Sequence, residues 1–299
     1  MILKVGSTGE AVKTLQTFLK IDADGIFGPN TESAVKHWQT AHMLTPDGIV
    51  GPKTWSAMGI ANTDGQERPD ITNQVNANVP QLDIKTNYMP KDQYFAGPTK
   101  KQWLFLHHTA GWHNPYGTIN GWARDDRGQV ATEFVIGGQS IFGNDNKYDG
   151  EIVQAFPQGG YGWHLGVGRT AMHTNSIGIE VCNFGNLTNS KTWAGGTVVE
   201  SQQVKLKQAF KGSLYYHKYS DKQLGALKQL ILFIANRDNI DVRKGIKQLI
   251  EAKGAFPAFD MTDERYCTMN PGMYTHVNCY ARKCDMFPQD EVVDMIMSL

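Results

Sequence analysis

The chain has 299 residues and carries 29 basic and 29 acidic side chains, which gives a formal net charge of zero. This length predicts two domains, since a domain commonly has roughly 100 to 200 residues, and the balanced charge argues against a nucleic-acid partner, whose phosphates require a clustered positive surplus. No apolar run reaches the roughly 18 residues of a membrane span, and the opening residues, MILKVGSTGEAV, lack the pattern of a signal peptide, so we expect cytoplasmic synthesis without membrane insertion.

A helix is predicted close to the amino terminus. Ser7 and Glu10 have the spacing of a capping box, in which each side chain satisfies a backbone amide at the start of a helix. Apolar residues then follow at the three- and four-residue spacing of a helix, at Val12, Leu15 and Leu19.

A turn sequence occurs twice after this helix. Residues 24–31 read DGIFGPNT and residues 47–54 read DGIVGPKT. Asp and Gly suit a tight turn, and the final Thr is a preferred cap for the helix that follows. The two copies resemble the turn of the peptidoglycan-binding module family, and the resemblance covers residues 1–59. It implies a small all-α module of three helices that binds peptidoglycan.

The composition changes after this module. Residues 60–80, IANTDGQERPDITNQVNANVP, are polar and have no apolar period, which predicts a linker. Residues 81–299 contain short apolar runs typical of strands, followed by amphipathic segments typical of helices. They predict an α/β domain with a mixed sheet, with strands at 103–106, 134–136, 152–156 and 177–182 and helices at 221–236 and 242–253.

Candidate metal ligands lie at two places in this domain. His107 and His108 follow an apolar run, so a strand delivers both imidazoles to its end, where open α/β folds bind ligands. Residues 275–285, THVNCYARKCD, offer imidazole, thiol and carboxylate groups. Zinc accepts all three, and a catalytic zinc site uses three protein ligands and a water. Taken alone, each feature is better explained by a structural role, such as a solvated pair in a turn for His107 and His108.

Four segments together resemble the type-2 zinc N-acetylmuramoyl-L-alanine amidases. This family includes phage lysozyme-amidases, bacterial muropeptide amidases and animal peptidoglycan recognition proteins. The segments are LFLHHTAG at 104–111, GWHLG at 162–166, NSIGIE at 175–180 and a His-x7-Cys pair at 276 and 284. The resemblance spans residues 85–299, with insertions at 188–219 and 256–273. It implies a zinc enzyme that hydrolyses the amide between N-acetylmuramic acid and the first L-alanine of the stem peptide.

The resemblance also implies a set of metal ligands. His107 and His276 match the two histidines that bind Zn²⁺ in the family. The spacing of Cys284 fits members in which a thiolate is the third ligand, and we expect Cys284 in that role. The letters RKCD at 282–285 also echo members in which an aspartate binds, so Asp285 is the alternative third ligand.

Catalytic roles follow from the same resemblance. Glu180 matches the glutamate that muropeptide amidases use as general base, which takes a proton from the attacking water. Arg282 matches the region of a cation that stabilises the oxyanion, and Lys283 would replace it if Asp285 were the ligand. Glu133 is a reserve candidate, because it stands beside the position where phage relatives carry a tyrosine.

The remaining polar side chains receive other roles. His164 matches a histidine that lines the substrate cleft, and Trp163 beside it is expected to stack on a sugar or peptide face. Four cysteines are too few for a disulfide framework in this length of chain, and we expect Cys182 to be a buried small hydrophobe. We expect structural or solvated roles for five further histidines, at His37, His42, His113, His173 and His217.

A wall-binding module joined to an amidase domain without a signal peptide predicts a phage endolysin. Such an enzyme is made in the host cytoplasm and reaches the bacterial wall after release, and we expect it to be a monomer. Two alternatives remain open: a recognition protein that binds peptidoglycan without cutting it, and a peptidase that cuts within the stem peptide. A glycosidase would instead need two carboxylates and no metal.

Overall fold

The computed structural model describes residues 2–41, 44, 46–51, 54, 55, 58, 82–166, 168 and 170–299. The chain divides into two compact units, Met1–Pro80 and Gln81–Leu299. The predicted linker at 60–80 lies outside the described residues. Within the described part of the chain, we find no helix with the length and apolar character needed to cross a bilayer.

The amino-terminal unit is helical. Helix α1 spans Glu10–Phe18 and helix α2 spans Pro29–Ala41. Of the third predicted helix, Thr54, Trp55 and Met58 are described and helical. Apolar side chains from both turns and all three helical segments form one core, at Leu3, Val12, Leu15, Phe27, Val35, Val50, Trp55 and Met58.

The predicted capping box at the start of α1 is wrong. Gly9 precedes the helix with a φ of 109°, and no side chain caps the first amides. The hydroxyl of Ser7 instead accepts a hydrogen bond from the backbone amide of Lys4 at 3.0 Å, which closes the turn before the helix. Glycine suits this position because other residues rarely adopt a positive φ.

A buried glutamine holds each copy of the repeated turn. In the first copy, Gln16 of α1 is 1% exposed, and its amide donates to the Asp24 carboxylate at 2.7 Å and to the Ile26 carbonyl at 3.1 Å. Its carbonyl oxygen accepts from the Gly25 amide at 2.8 Å. We call this arrangement the glutamine clamp.

The second copy repeats the glutamine clamp residue for residue. Gln39 of α2 donates to Asp47 at 2.8 Å and to the Ile49 carbonyl at 3.0 Å, and it accepts from the Gly48 amide at 2.9 Å. Each turn is therefore fixed to the helix before it by the amide of a buried glutamine.

The larger unit is built on a six-stranded mixed sheet. Its strands are β1 Ile84–Thr86, β2 Trp103–His108, β3 Phe134–Ile136, β4 Ile152–Gln154, β5 Ser176–Val181 and β8 Met273–Thr275. The order across the sheet is β1-β4-β3-β5-β2-β8, and only the β3–β4 pair is antiparallel among these strands. The hairpin of β6, Gln203–Phe210, and β7, Ser213–His217, lies in the first insertion and forms a separate sheet.

Helices cover both faces of the sheet. Helix α3, Pro115–Trp122, packs Ile119 with Val135 and Val153 on one face. On the other face, the neighbouring strand residues Phe134 and Ile152 pack with the long helix α5, Asp221–Asp238. The remaining helices are α4 Thr170–Thr174, α6 Ile246–Lys253, α7 Ala255–Asp260, α8 Glu264–Met269, α9 His276–Cys279 and α10 Asp290–Met297. The predicted fold class, a helical module followed by an α/β domain, is confirmed.

The glutamine clamp yields a stability prediction. Gln16→Met keeps the side-chain length but leaves the Gly25 amide and the Ile26 carbonyl without this partner. A buried unsatisfied polar group costs roughly 1–3 kcal/mol, so amide hydrogens of residues 10–41 should exchange about tenfold faster or more. Hydrogen exchange of the full chain measures this, and amides of Gln81–Leu299 serve as the internal reference. Thr17→Met, at an exposed site of the same helix, is the matched control, and equal exchange in the two variants would contradict the role of the clamp.

Candidate metal centre

Three parallel strands bring the predicted ligands to one edge of the sheet. Strand β2 ends at His107 and His108, and it lies between β5 and β8. The register places His107 opposite Glu180 of β5. On the other side, β8 ends at Thr275, and His276 begins helix α9. Because parallel strands have their carboxyl ends at the same edge, residues 169 positions apart meet there.

Two imidazoles and a carboxylate converge at this edge. The Nδ1 atoms of His107 and His276 are 2.8 Å apart. The Oδ2 atom of Asp285 lies 2.9 Å from Nδ1 of His276 and 3.3 Å from Nδ1 of His107. Two ligands of a tetrahedral zinc ion, each 2.0–2.1 Å from the metal, would be roughly 3.3 Å apart. The three donor atoms therefore have the chemistry and the spacing of a small metal site, and all three residues are buried.

Hydrogen bonds behind the two histidines orient their rings. Nε2 of His276 lies 3.0 Å from the backbone carbonyl of Leu165, which can only accept, so Nε2 carries the proton and Nδ1 offers its lone pair. Nε2 of His107 lies 3.0 Å from Nδ1 of His164, and Nε2 of His164 lies 2.8 Å from the Ser176 hydroxyl. His107 donates to His164, and His164 donates to Ser176. This assignment satisfies both hydrogen bonds and leaves the lone pair of His107 Nδ1 free for a metal. Such outer hydrogen bonds commonly fix metal-binding histidines.

The charge states at neutral pH suit a cation. Burial, together with the proximity of His276, lowers the pKa of His107 to about 4, so that ring is neutral. Burial alone would raise the pKa of Asp285, but the two adjacent imidazoles, His276 first, bring it well below its ordinary value. Metal ligands must be deprotonated, and these two residues already are.

Cys284, the expected third ligand, is outside the converging group. It is half-buried beside the site, and burial raises the pKa of its thiol. Asp285, the alternative ligand, approaches both rings with one carboxylate oxygen. The structure therefore favours Asp285 over Cys284, because one carboxylate oxygen lies within 3.3 Å of both Nδ1 atoms.

A cavity of about 330 Å³ opens over these residues. Its walls include the predicted general base Glu180, and also Trp163, Arg282 and Cys284. His164 reaches the cavity as well, although its ring nitrogens are bonded to His107 and Ser176. His164 therefore supports His107 through a hydrogen bond and also lines the cavity. Ser176 was not predicted as a member of this network, because a serine that begins a strand has no distinctive pattern.

Glu180 is an acid without a partner at the cavity wall. Its Oε2 atom is buried and has no hydrogen bond. Burial, and then the negative charge of Asp285, raise its pKa well above the ordinary value, whereas the ammonium of Lys283 acts in the opposite direction. A carboxyl group of raised pKa can take up a proton near neutral pH.

Glu133, the reserve candidate, has a structural role. It is 1% exposed, and its carboxylate pairs with the Arg237 guanidinium at 2.8 Å and accepts from the Gln154 amide at 3.1 Å. Burial raises the pKa of Glu133, and the charge of Arg237 offsets part of that rise. The side chain joins β4 to the long helix α5 and does not line the cavity.

The other titratable side chains behave as structural groups. Nδ1 of His108 lies 2.8 Å from the Tyr219 hydroxyl, and Nε2 of His113 lies 3.1 Å from Asp145. Cys182 is buried among apolar residues, as predicted. His42 lies outside the described residues. In the helical unit, His37 lines a second cavity of about 500 Å³ with Phe18 and Trp38.

These observations describe a candidate metal site beside an unpaired acid in an α/β domain, and the comparisons with known proteins give the family. The N-acetylmuramoyl-L-alanine amidase family matches residues 97–267, more than half of the chain. The chain therefore belongs to the N-acetylmuramoyl-L-alanine amidase family. A peptidoglycan binding domain matches residues 8–58. No curated protein matches the chain.

Solved structures supply further similarities. The Burkholderia AP3 phage endolysin is 36% identical over 28% of this chain and 34% of its own length, with a TM-score of 0.20. A peptidoglycan-binding protein of Clostridioides difficile is 34% identical over 20% of this chain and 40% of its own length, with a TM-score of 0.20. AmpD is 18% identical over 71% of this chain and 93% of its own length, with a TM-score of 0.37. The chain thus spans less than half of the length of the first two.

The two glutamates, Glu133 and Glu180, should respond oppositely to neutralisation. Glu133→Gln removes one charge of a largely buried ion pair, and we expect unfolding to become easier by roughly 2–4 kcal/mol, since Arg237 keeps some contact with water. Glu180→Gln removes a carboxylate whose raised pKa makes its ionised form unfavourable in the folded state. In metal-free protein at pH 7 its melting temperature should rise by about 2–4 °C.

The pH dependence of the melting temperature tests the prediction for Glu180→Gln. A carboxyl group whose pKa is raised on folding destabilises the protein above its ordinary pKa and has no such effect below it. The rise in melting temperature caused by Glu180→Gln should therefore vanish as the pH falls below 4.5, the ordinary pKa of a glutamate side chain. Calorimetry across this range measures it, and a lower melting temperature for Glu180→Gln at pH 7 would contradict the assignment of Glu180 as an unpaired acid.

Proposed function

We propose that the chain is a zinc-dependent amidase that cleaves the bond between N-acetylmuramic acid and L-alanine of the stem peptide. The observation that carries the proposal is the convergence of His107, His276 and Asp285 beside the unpaired carboxyl of Glu180. A non-catalytic recognition protein would have no use for an acid with a buried, unpaired carboxyl oxygen at a metal site. Family membership supports the bond that is cleaved.

The residues of the cavity divide the reaction between them. Zinc, when bound by His107, His276 and Asp285, supplies a Lewis acid that polarises the amide carbonyl and lowers the pKa of water toward about 7. Glu180 accepts the proton of the attacking water and returns it to the leaving amine of L-alanine.

A cation on the last loop stabilises the developing oxyanion. Lys283 takes this role in the proposal, because Asp285 is the favoured ligand and because the charge of Lys283 acts on Glu180. Arg282 is exposed at the cavity rim. It contributes to holding the anionic groups of the substrate.

The two units have separate tasks in this proposal. Residues 81–299 form the catalytic domain, and residues 1–59 hold the enzyme on its polymer, joined by the linker at 60–80. The match to a peptidoglycan binding domain supports the second task. A wall-bound amidase of this kind fits a phage endolysin that acts on the bacterial wall during lysis.

Metal content and activity together test the ligand set. Chelation should abolish the loss of turbidity of purified peptidoglycan, and added zinc should restore it. Asp285→Ala should lower zinc affinity and activity by more than about 100-fold, because a ligand is lost. Cys284→Ala should change both by no more than about twofold, and it is the matched control at the adjacent position.

The fragments identify the reaction. Mass analysis should show lactyl-ended glycan and peptides with a free L-alanine amine. Peptides cut internally would assign a peptidase instead, and lysis by the fully chelated protein would overturn the metal mechanism. Loss of zinc in Cys284→Ala with retention in Asp285→Ala would return the third ligand to the thiolate.

The binding module yields a prediction about substrate size. Removal of residues 1–59 should lower activity on whole cell walls by about 100-fold, because tethering raises the local concentration of substrate. Activity on a short soluble muropeptide should stay within about twofold, since the module makes no contribution to it. Steady-state rates on both substrates measure the effect, and equal losses on both would contradict the tethering role.

A further inference from the structure

An exposed group of aromatic side chains lies beside the catalytic cavity. Trp193 is 75% exposed, Phe142 is 52% exposed and Trp112 is 48% exposed. The Trp112 ring centroid is 6.2 Å from that of Phe142 and 5.1 Å from that of the buried Phe184, and the Trp193 centroid is 6.5 Å from Phe184. We call these four residues the aromatic surface.

The aromatic surface is continuous with the cavity. The indole N–H of Trp193 donates to the backbone carbonyl of Ala110 at 2.7 Å. Ala110 lines the same cavity as Glu180. A ligand that extends out of the cavity past Ala110 therefore meets the indole of Trp193.

A separate small core supports the aromatic surface. Phe184 packs with Ile141, Leu187 and Val198, which are all nearly inaccessible to water. Two hydrogen bonds fix the end of the segment that carries Trp193. The Val199 amide donates to the Ile141 carbonyl at 2.9 Å, and the Gln202 side chain donates to the Ser140 carbonyl at 2.9 Å. The exposed rings are thus held in position before any ligand binds. Exposed apolar groups held in this way commonly mark a binding site.

The charge distribution indicates which part of the substrate fits here. The segments 109–112, 140–144, 184–187 and 189–197 contain one charged residue, Lys191, among amides, hydroxyls and glycines. The cationic groups that suit the carboxylates of a stem peptide lie in the cavity instead, at Arg127, Arg282 and Lys283. Flat aromatic faces with neutral hydrogen-bonding groups suit the pyranose rings of a sugar chain.

We propose that the aromatic surface is a glycan-binding subsite of the catalytic domain, which stacks sugar rings of the peptidoglycan strand next to the cleaved residue. This proposal deepens the proposed function and rests on it for the identity of the polymer. The stem peptide enters the cavity, and the sugar chain leaves it across Trp193 and Trp112.

Hydrogen exchange of the full chain locates the subsite. The probe is peptide-free glycan strands, and the protein is the Glu180→Gln variant, so no cleavage is needed and binding is read even if the proposed amide hydrolysis is wrong. We expect slower exchange in segments 109–112, 140–144 and 189–197 when the strands are added. Protection confined to the helical unit, or none at all, would overturn the proposal.

Substitutions then identify the contacts. Trp193→Ala should raise KM for polymeric peptidoglycan by about tenfold, Trp193→Phe should have a smaller effect because it keeps a ring, and kcat on a short muropeptide should be unchanged. Tyr215→Ala is the matched control, because Tyr215 is an exposed aromatic residue of the same insertion outside the aromatic surface. An equal effect of Tyr215→Ala would overturn the assignment. Concentration-dependent dimers that Trp193→Ala abolishes would also overturn it, in favour of a second copy of the chain as the occupant.

Discussion

The site depends on the parallel pairing of β2 between β5 and β8. This pairing puts the carboxyl ends of three strands side by side, and each end supplies one group: His107 from β2, Glu180 from β5 and His276 just after β8. The backbone register fixes His107 opposite Glu180, so the relative position of these two residues is set by hydrogen bonds of the sheet rather than by loops. The long segment between β5 and β8 can therefore carry an inserted hairpin and several helices without disturbing the chemistry.

The buried polar groups at this edge constrain one another. Each imidazole faces Asp285 with Nδ1 and donates from Nε2 to a carbonyl or a second imidazole, so neither ring can turn without breaking that hydrogen bond. Such satisfied networks define one arrangement, because an unpaired polar group in the interior is costly. Glu180 is the exception at this edge, and its unsatisfied carboxyl oxygen suits the general base that we propose.

The sequence predicted the parts of the fold and site whose signal is local. Strand β2 and the long helix from Asp221 were predicted because their signals, the apolar periodicity and the flanking residues, lie within each segment itself. The choice between Cys284 and Asp285 was not, because both are competent ligands at adjacent positions and the path of the last loop decides between them. The hairpin was missed since β6 is mostly exposed and lacks a clear apolar alternation, and β8 has only three residues. The aromatic surface unites residues from distant segments, and sequence order cannot show that they meet.

The glutamine clamp has a consequence for how the helical module can vary. Gln16 and Gln39, Asp24 and Asp47, and Thr31 and Thr54 are each 23 residues apart, and every clamp joins one helix to the turn directly after it. One helix with its turn is therefore a repeated building block, and its glutamine also donates to the threonine of the next helical segment, at 3.1 Å for Thr31 and 3.3 Å for Thr54. A module of this type can lengthen or shorten during evolution in whole blocks of 23 residues, whereas a smaller insertion would separate a glutamine from its aspartate.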